Sequence, residues 1–402
     1  MFSANSLIHL IEFGSQLFVA WILLADDIGR IKSLQTFASV GVIIAGLGFN
    51  TSILKLCSEK DVTDEEKQTL FASAIKTTLL FSFLTILLAI VLSFFNLISK
   101  DTLTNNLFLY YSLSIPLLAL NNLLVAYYQA LKAFKKVSVL LVIARIIHVA
   151  IIISLTYLFG LNGFIIGVII GFLISTLLLL SKTEFLKTWK KTTSIHFKKN
   201  WDLAKYAFLG NTINMLSLYL DIFFLNHLVN NPEEIGFYGF ALTLIAGLRI
   251  VTSTAQQFVT PYYSEFSSNV PQILKAFKKS NQIFGATILV VGVLAILIVP
   301  LVIHFVFSGK YDASMFYFQI LTLSWIIRSW VSLKGPFLLA IGYVHVAFKV
   351  SLWVFLITIL PYWYAVKVYQ IQGALYGQVF VSIVFFIVVN ISFKQVLKKL
   401  YH

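Results

Sequence analysis

LAKYAFLGNTINMLSLYLDIFFLNHLV, residues 203–229, is apolar for most of its length, with one lysine near its start and one carboxylate, Asp221, well inside it. A run of about 20 apolar residues, rising about 1.5 Å per residue, crosses the hydrocarbon core of a bilayer. The stretch therefore predicts a membrane-spanning helix. Its acid needs a reason to be there, because an ionised side chain facing lipid opposes insertion by about 3 kcal/mol.

Runs of the same kind recur from end to end of the 402 residues. With 59% hydrophobic residues, only 11% charged and a mean hydropathy of +0.90, the chain lies outside the range of soluble proteins. The expected fold is an all-α polytopic membrane protein with about twelve spans. Their expected extents are 7–24, 34–54, 70–97, 107–131, 137–159, 163–180, 203–229, 235–259, 283–307, 316–341, 344–366 and 374–393. The first run has no Lys or Arg before it and no small-residue cleavage site after it, so it reads as a retained helix rather than a signal peptide.

The formal charge of +14 is segregated by loop. Alternate connections hold roughly 18 and 5 basic residues, and the rich side is expected to be cytoplasmic. An even number of spans then puts both termini in the cytoplasm. The basic excess reflects topology, and no nucleic-acid partner is implied. A single cysteine, Cys57, excludes an internal disulfide and suits a reducing compartment.

One long polar connection, SKTEFLKTWKKTTSIHFKKN (181–200), divides the spans six and six. The expected organisation is an N-terminal lobe (1–182), a basic cytoplasmic linker (183–200) and a C-terminal lobe (201–402). The linker suits either an anionic leaflet surface or plain solvent. The halves echo each other: Asp27-Ile28-Gly29 matches Glu234-Ile235-Gly236, and Gly163 and Gly167 in LNGFIIG match Gly373 and Gly377 in IQGALYG. Both imply a shift close to 210 residues, whereas AGLGFNTS (from Ala45) and AGLRIVTS (from Ala246) suggest a competing register. Duplication of a six-helix unit gives parallel repeats, which place a substrate site between lobes that rock in alternating access.

Glu12, Arg145, Asp221, Arg249 and Arg328 fall well inside expected spans. Helical spacing gathers them into polar faces: Asn5, His9, Glu12 and Gln16 in the first span; Arg145 with His148 in the fifth; Asn211, Asn214, Ser217 and Asp221 in the seventh; Arg249, Thr252, Ser253 and Gln256 in the eighth. Asp221 is read either as an ion pair with an arginine that fixes packing or, with Glu12, as a group that couples transport to a proton or sodium ion. Arg145, Arg249 and Arg328 are read either as contacts between helices or as a central anion site. Three arginines against two carboxylates leave a positive excess, and guanidinium binds phosphate oxygens bidentately. His148 and His304 are lone histidines, suited to polar contacts more than to proton relays. Lys76, Lys205, Lys334 and Lys349 lie near cytoplasmic ends, where their stems can snorkel. Pro116, Pro300, Pro361 and Gly335-Pro336 sit in or beside spans and permit kinks.

The segments LLADDIGRIKSLQTF (23–37), GLGFNTSILKLCSE (46–59), YYQALKAFKKVS (127–138), FGLNGFIIG (159–167) and above all KYAFLGNTINMLSLYLDIFFLNHLVNNPEEIGFYGFA (205–241) resemble the polysaccharide (O-antigen type) flippase family. That family lies in the superfamily that includes multidrug and toxin extruders and lipid II flippases. The resemblance extends over nearly the whole chain through loose, hydrophobic motifs. One departure is Leu209-Gly210, where the family often has a proline. The resemblance implies two six-helix lobes in the bacterial inner membrane that carry undecaprenyl-diphosphate-linked oligosaccharide from the cytoplasmic to the periplasmic leaflet. It also implies an ion gradient or the membrane potential as the drive, with polysaccharide polymerase and glycosyltransferases of the same pathway as partners beside the membrane lipids.

Rival readings are a drug or cation antiporter of the same fold, whose cavity should be rich in carboxylates, and a membrane glycosyltransferase or polymerase, which should carry a large external loop. A purely structural scaffold leaves the repeat and the central charges unexplained. No GxxxxGK[ST] loop, HExxH motif or Cys/His cluster marks an ATPase or a metal enzyme. The expectation is a transporter, not an enzyme, with no cofactor apart from a coupling proton or sodium ion.

Overall fold

A computed structural model describes residues 2–59, 62–132, 134–181, 183, 189–229, 231–265 and 270–401. They form thirteen α-helices: α1 (Phe2–Ile22), α2 (Ala25–Gly46), α3 (Phe49–Leu56), α4 (Asp64–Phe94), α5 (Thr102–Tyr111), α6 (Ser114–Ala130), α7 (Phe134–Leu180), α8 (Ser194–Leu228), α9 (Pro232–Glu265), α10 (Val270–Val306), α11 (Ala313–Trp330), α12 (Lys334–Ala340) and α13 (Val344–Tyr401). A 3₁₀ turn, Trp189–Lys191, precedes α8. Among the described residues seven helices are each long and apolar enough to cross a membrane, and the α5–α6 pair, bent by 46°, makes an eighth span. The protein is thus an all-α, multi-pass membrane protein.

The chain separates into two compact units, Met1–Leu23 with Arg30–Tyr219, and Leu24–Gly29 with Leu220–His402. In the first, Phe49, Ile53, Leu70, Phe71, Leu124 and Tyr127 are at most 6% exposed, and the Phe71 and Tyr127 rings stack at 3.9 Å. In the second, Tyr238, Tyr263, Phe318, Phe337 and Tyr362 fill the interior. Lipid is as apolar as these side chains, so close packing rather than the hydrophobic effect holds such cores together. Large apolar residues such as Leu80, Phe83, Leu297 and Leu301 stay exposed along α4 and α10, as lipid-facing positions should.

Several expected spans are broken. The second breaks at Leu47 and Gly48, both at positive φ (48° and 74°). The fourth breaks before α6 and the tenth before α12. In each of these two a proline stands in the first turn of the new helix, Pro116 and Pro336, where a missing N–H costs nothing. Pro300 and Pro361, expected to kink, lie inside helices that continue through them, as does Pro261.

Helices α7 and α13 each hold two expected spans, reversing at Gly160 (φ 58°) and Gln370 (φ 50°). The arms meet without room for side chains. A methyl on Gly163 would stand 1.9 Å from the Leu155 carbonyl oxygen, and one on Gly373 would stand 2.0 Å from that of Ala365. One turn on, Gly167 lies against Ile152 and Gly377 against Tyr362. All these equivalences share the 210-residue shift, which gives the glycine match between the halves its physical content: small residues let two helix backbones touch. The other match also has geometry behind it. Within the second unit, Gly29 lies against the Pro232 carbonyl and Gly236 against that of Ala25.

The linker residues 182 and 184–188 lie outside the described residues. Those that follow are clamped to α4: Lys191 pairs with Glu65, Lys199 with Glu66 at 2.6 Å, and Lys76 bonds Thr192 while its ammonium sits 5.0 Å from the Trp189 ring centre. Lys76 is thus held by the linker. Cys57, buried just after α3, has its thiol pushed up to about 12 chiefly by burial.

Candidate functional site

Asp221 is 2% exposed in the second unit. One carboxylate oxygen accepts bonds from the Tyr238 hydroxyl of α9 (2.7 Å) and the Gln378 amide of α13 (2.9 Å), and the other accepts the N–H of Ile222 (2.8 Å). Tyr362 packs into the same group and donates to the Ala374 carbonyl at 3.0 Å. Among the described residues no cation lies within ion-pairing distance, so the acid is held by neutral dipoles. Such a carboxylate is well hydrogen-bonded yet not locked to a fixed positive charge, and it can exchange a proton or ion without first breaking an ion pair.

Arg249 and Arg328 stand on α9 and α11 of the same unit. Arg249 is exposed, and Arg328 is half-buried with its guanidinium 4.9 Å from the centre of the Phe385 ring. Neither has a carboxylate within 4.0 Å among the described residues, while Arg328 lies within electrostatic range of both Arg249 and Asp221. The polar stripe of α9 meets the end of α11: Thr252 bonds Ser329 at 3.1 Å, and the Gln256 amide donates to the Ser332 carbonyl at 3.1 Å. Ser332 is the carbonyl that Pro336, lacking an N–H, cannot take up. Lys334, expected to snorkel, is instead buried; it bonds Asn390 and sits 5.0 Å from the centre of the Phe393 ring.

The first unit treats its charges differently. Arg145 Nη2 lies 2.6 Å from Glu12 Oε1, and His9 lies 3.3 Å from the other Glu12 oxygen. Gln16 accepts from Lys32 at 3.1 Å. His148 is buried against the Phe172 ring and Gly171, and its Nε2 has no hydrogen-bond partner among the described residues. Asn211 and Asn214 are exposed. The side chain of Asn5 lies outside the described residues. His304 faces Asp312 at 3.0 Å on the exposed end of α10. Among the described residues no three His, Cys, Asp or Glu side chains converge as a metal site would require.

Sequence reasoning found Asp221 but not the donors around it. Tyr238 lies within the segment 205–241 that carries the family resemblance, but nothing local marks it as a donor to the acid. Gln378 directly follows Gly377, the residue that lets the α13 arms close, so it is carried to the site by the hairpin. That long-range placement is invisible in local periodicity.

The sequence model of a family described as "Polysaccharide biosynthesis protein" matches residues 18–316. Among solved structures, the lipid II flippase MurJ in an inward closed conformation aligns with a TM-score of 0.77 and 18% identity, covering 98% of this chain and 87% of that one. An inward-facing multidrug resistance MATE family transporter of the MOP superfamily aligns at 0.76 and 14%, covering 98% and 96%. A MOP superfamily transporter from Pyrococcus furiosus, described as having a binding pocket of reverse polarity, aligns at 0.63 and 13%, covering 98% and 95%. At these identities the likeness is one of fold. No curated protein sequence matches significantly.

Proposed function

The chain belongs to the polysaccharide biosynthesis protein family, and from that premise we propose that it is a flippase for undecaprenyl-diphosphate-linked oligosaccharide, a repeat unit of O-antigen, capsule or a related glycan. It works by alternating access in the bacterial inner membrane, from the cytoplasmic to the periplasmic leaflet, with both termini cytoplasmic.

The observation that carries this reading is the pair Arg249 and Arg328, two guanidinium groups on helices of one unit that have no carboxylate within 4.0 Å among the described residues, Asp221 lying only within electrostatic range of both. Uncompensated cations at membrane depth are costly unless an anion visits them. A diphosphate presents the paired oxygens that a guanidinium fork grips. Arg145 and Glu12 complete the set of central charges in the first unit. Asp221, held only by neutral donors, is suited to take the coupling proton or sodium ion. A cation antiporter of the same fold would need the opposite excess, and an enzyme of the pathway would need catalytic acids on an external loop. Polymerase and glycosyltransferases of the same pathway are the expected partners.

The test is export of surface glycan in cells whose own copy has been deleted. Arg249→Ala and Arg328→Ala should each lower export at least tenfold, the order of magnitude for a lost charge-assisted contact, with unchanged protein in the membrane. Wild-type export by both variants removes the anion site from the reading.

A further inference from the structure

The α13 hairpin carries an open groove on one face, wholly within the second unit. Its arms touch through Gly373 and Gly377, so the groove has a floor of backbone in which Ala365 is the one partly exposed side chain; Tyr362, 1% exposed, closes it from behind. Pro361 and Tyr369 of the first arm and Gln372, Tyr376 and Phe380 of the second stand as its walls, and all five are exposed. The groove holds about 470 Å³ and its lining is mostly apolar. Sites for small organic molecules span about 300–1,000 Å³.

Hairpin geometry alone does not make this shape. By the 210-residue shift Ala365 corresponds to Leu155, and the carbonyl of each meets the glycine of the opposite arm. The leucine is bulkier by an isopropyl group. Tyr376 and Phe380 correspond to Ile166 and Ile170, so the second hairpin combines a lower floor with flat aromatic walls.

Tyr369 and Gln372 flank the reversal at Gln370, where the hairpin ends, while Pro361 and Phe380 lie nine and ten residues from it. At 1.5 Å per residue the groove runs about 14 Å inward, close to the ~15 Å of hydrocarbon in one leaflet. Its polar groups sit at the surface end and its apolar walls below them, which is the layout of a lipid with its head at the interface and its chain in the core. In the orientation proposed above, that end is periplasmic, the side of delivery. The walls are rings and a proline, which are rigid. An isoprenoid chain, with a planar double bond and a methyl branch in every unit, loses less rotational freedom on settling between them than a saturated acyl chain does. Tyr362 also belongs, on its inner side, to the group around Asp221, so the groove and the acid share a side chain. We infer that this groove receives the isoprenoid tail of the lipid-linked substrate in the leaflet of delivery. The inference rests on the flippase reading and adds to it the part of the molecule that recognises the tail.

The experiment measures binding of two probes with one headgroup to the full-length protein in phosphatidylcholine nanodiscs: undecaprenyl diphosphate, and a saturated straight-chain alkyl diphosphate. The difference between them reads the tail. Wild type should prefer the isoprenoid probe. Ala365→Leu, which installs the residue of the first hairpin, and Tyr376→Ala, at an exposed position, should each lower affinity for it by roughly tenfold, the worth of about two buried methylene groups, and leave the straight-chain probe unchanged. A diazirine on the isoprenoid tail should label residues 361–380, and excess undecaprenyl diphosphate should displace the label where excess phosphatidylglycerol does not. Wild-type affinity in both variants would overturn the inference, as would labelling confined to other segments. Displacement by phosphatidylglycerol would overturn it by making the groove an ordinary phospholipid site, and a wild-type dimer that Ala365→Leu dissociates would make it an interface between copies. If Arg249→Ala loses both probes while the groove variants lose neither, this inference falls and the flippase reading stands. If wild type binds neither probe, the flippase reading falls first and takes this one with it.

Discussion

The hairpins that close the two halves of the chain, within α7 and α13, reverse at positions 210 residues apart and pack the same way, yet they are made from different residues. The first turns at Gly160 and the second at Gln370. In the first, Gly171 continues the glycine series and seats the His148 ring; at the equivalent place in the second stand Val381 and Thr358. What both retain is the glycine pair at 163 and 167, or 373 and 377. Backbone contact between the arms is therefore the common requirement, and the conformation of the turn residue is secondary. The charges diverge in parallel: the first unit pairs its central arginine with Glu12, while in the second Arg249 and Arg328 have no carboxylate within 4.0 Å among the described residues, and the acid is held by a phenol and an amide.

The sharpest way to break this comparison is to give the arms a side chain. Gly163→Ala and Gly373→Ala place a methyl about 2 Å from a carbonyl oxygen, and the arms can escape only by separating. Each should destabilise its hairpin by about 3 kcal/mol, the upper range for overpacking, read as loss of monodisperse protein on size-exclusion chromatography. Similar losses in both would sustain the equivalence of the halves; a silent Gly373→Ala would show that the second hairpin does not depend on backbone contact.

A smaller effect separates the two charge arrangements. Arg145→Ala strands Glu12, and since both side chains keep some contact with solvent (25% and 32% exposed), the loss should be about 2 kcal/mol rather than the larger figure for a fully buried pair. Adding Glu12→Gln should recover most of the folded yield. Arg249→Ala strands no acid and should leave thermal stability nearly unchanged. A thermal-shift series on these variants checks the distinction, and rescue that fails for the first unit would mean that Arg145 contributes packing instead of charge.

The sequence disclosed an all-α, multi-pass membrane protein and the 210-residue shift between its glycine pairs, because hydrophobic run length and glycine spacing are local signals that insertion and helix contact read directly; the compact units, however, divide after Tyr219 and not at the basic linker expected to separate the lobes. It disclosed Asp221 and the arginines for a related reason: a charge in an apolar run is conspicuous. It did not disclose which charges pair. Glu12 and Arg145 lie 133 residues apart, and nothing in either span's periodicity ties them while leaving Arg249 free of a carboxylate. Prolines marked only some of the breaks: Pro116 and Pro336 stand at the starts of α6 and α12, as expected. Pro300 and Pro361 sit in continuous helices, whereas the second span breaks at Leu47-Gly48 with no proline nearby, where α8 packs tightly against Gly48. Asn50 and Asn122 look like isolated polar residues in their own spans, and only folding brings them beside Asn211, which the polar face of the seventh span had marked.

The smallest effect concerns the turn itself. At φ 50° and ψ −123° Gln370 occupies backbone space that suits glycine, and a side chain there costs on the order of 1 kcal/mol. Gly160 has the same geometry with nothing within 4 Å of the position a methyl would take, so only the backbone term opposes a larger residue there. Exchanging the two should thus act with opposite signs: Gly160→Gln lowers the thermal midpoint, and Gln370→Gly raises it. The gain should be the smaller of the pair, because a new glycine also frees the unfolded chain and returns part of the relieved strain, about 0.5 kcal/mol or more. Matched melting curves of both variants in one detergent decide the matter. A Gln370→Gly protein that melts below wild type would mean the glutamine side chain stabilises the turn by contacts that outweigh its strain, and the second hairpin would then be a distinct solution rather than a strained copy of the first.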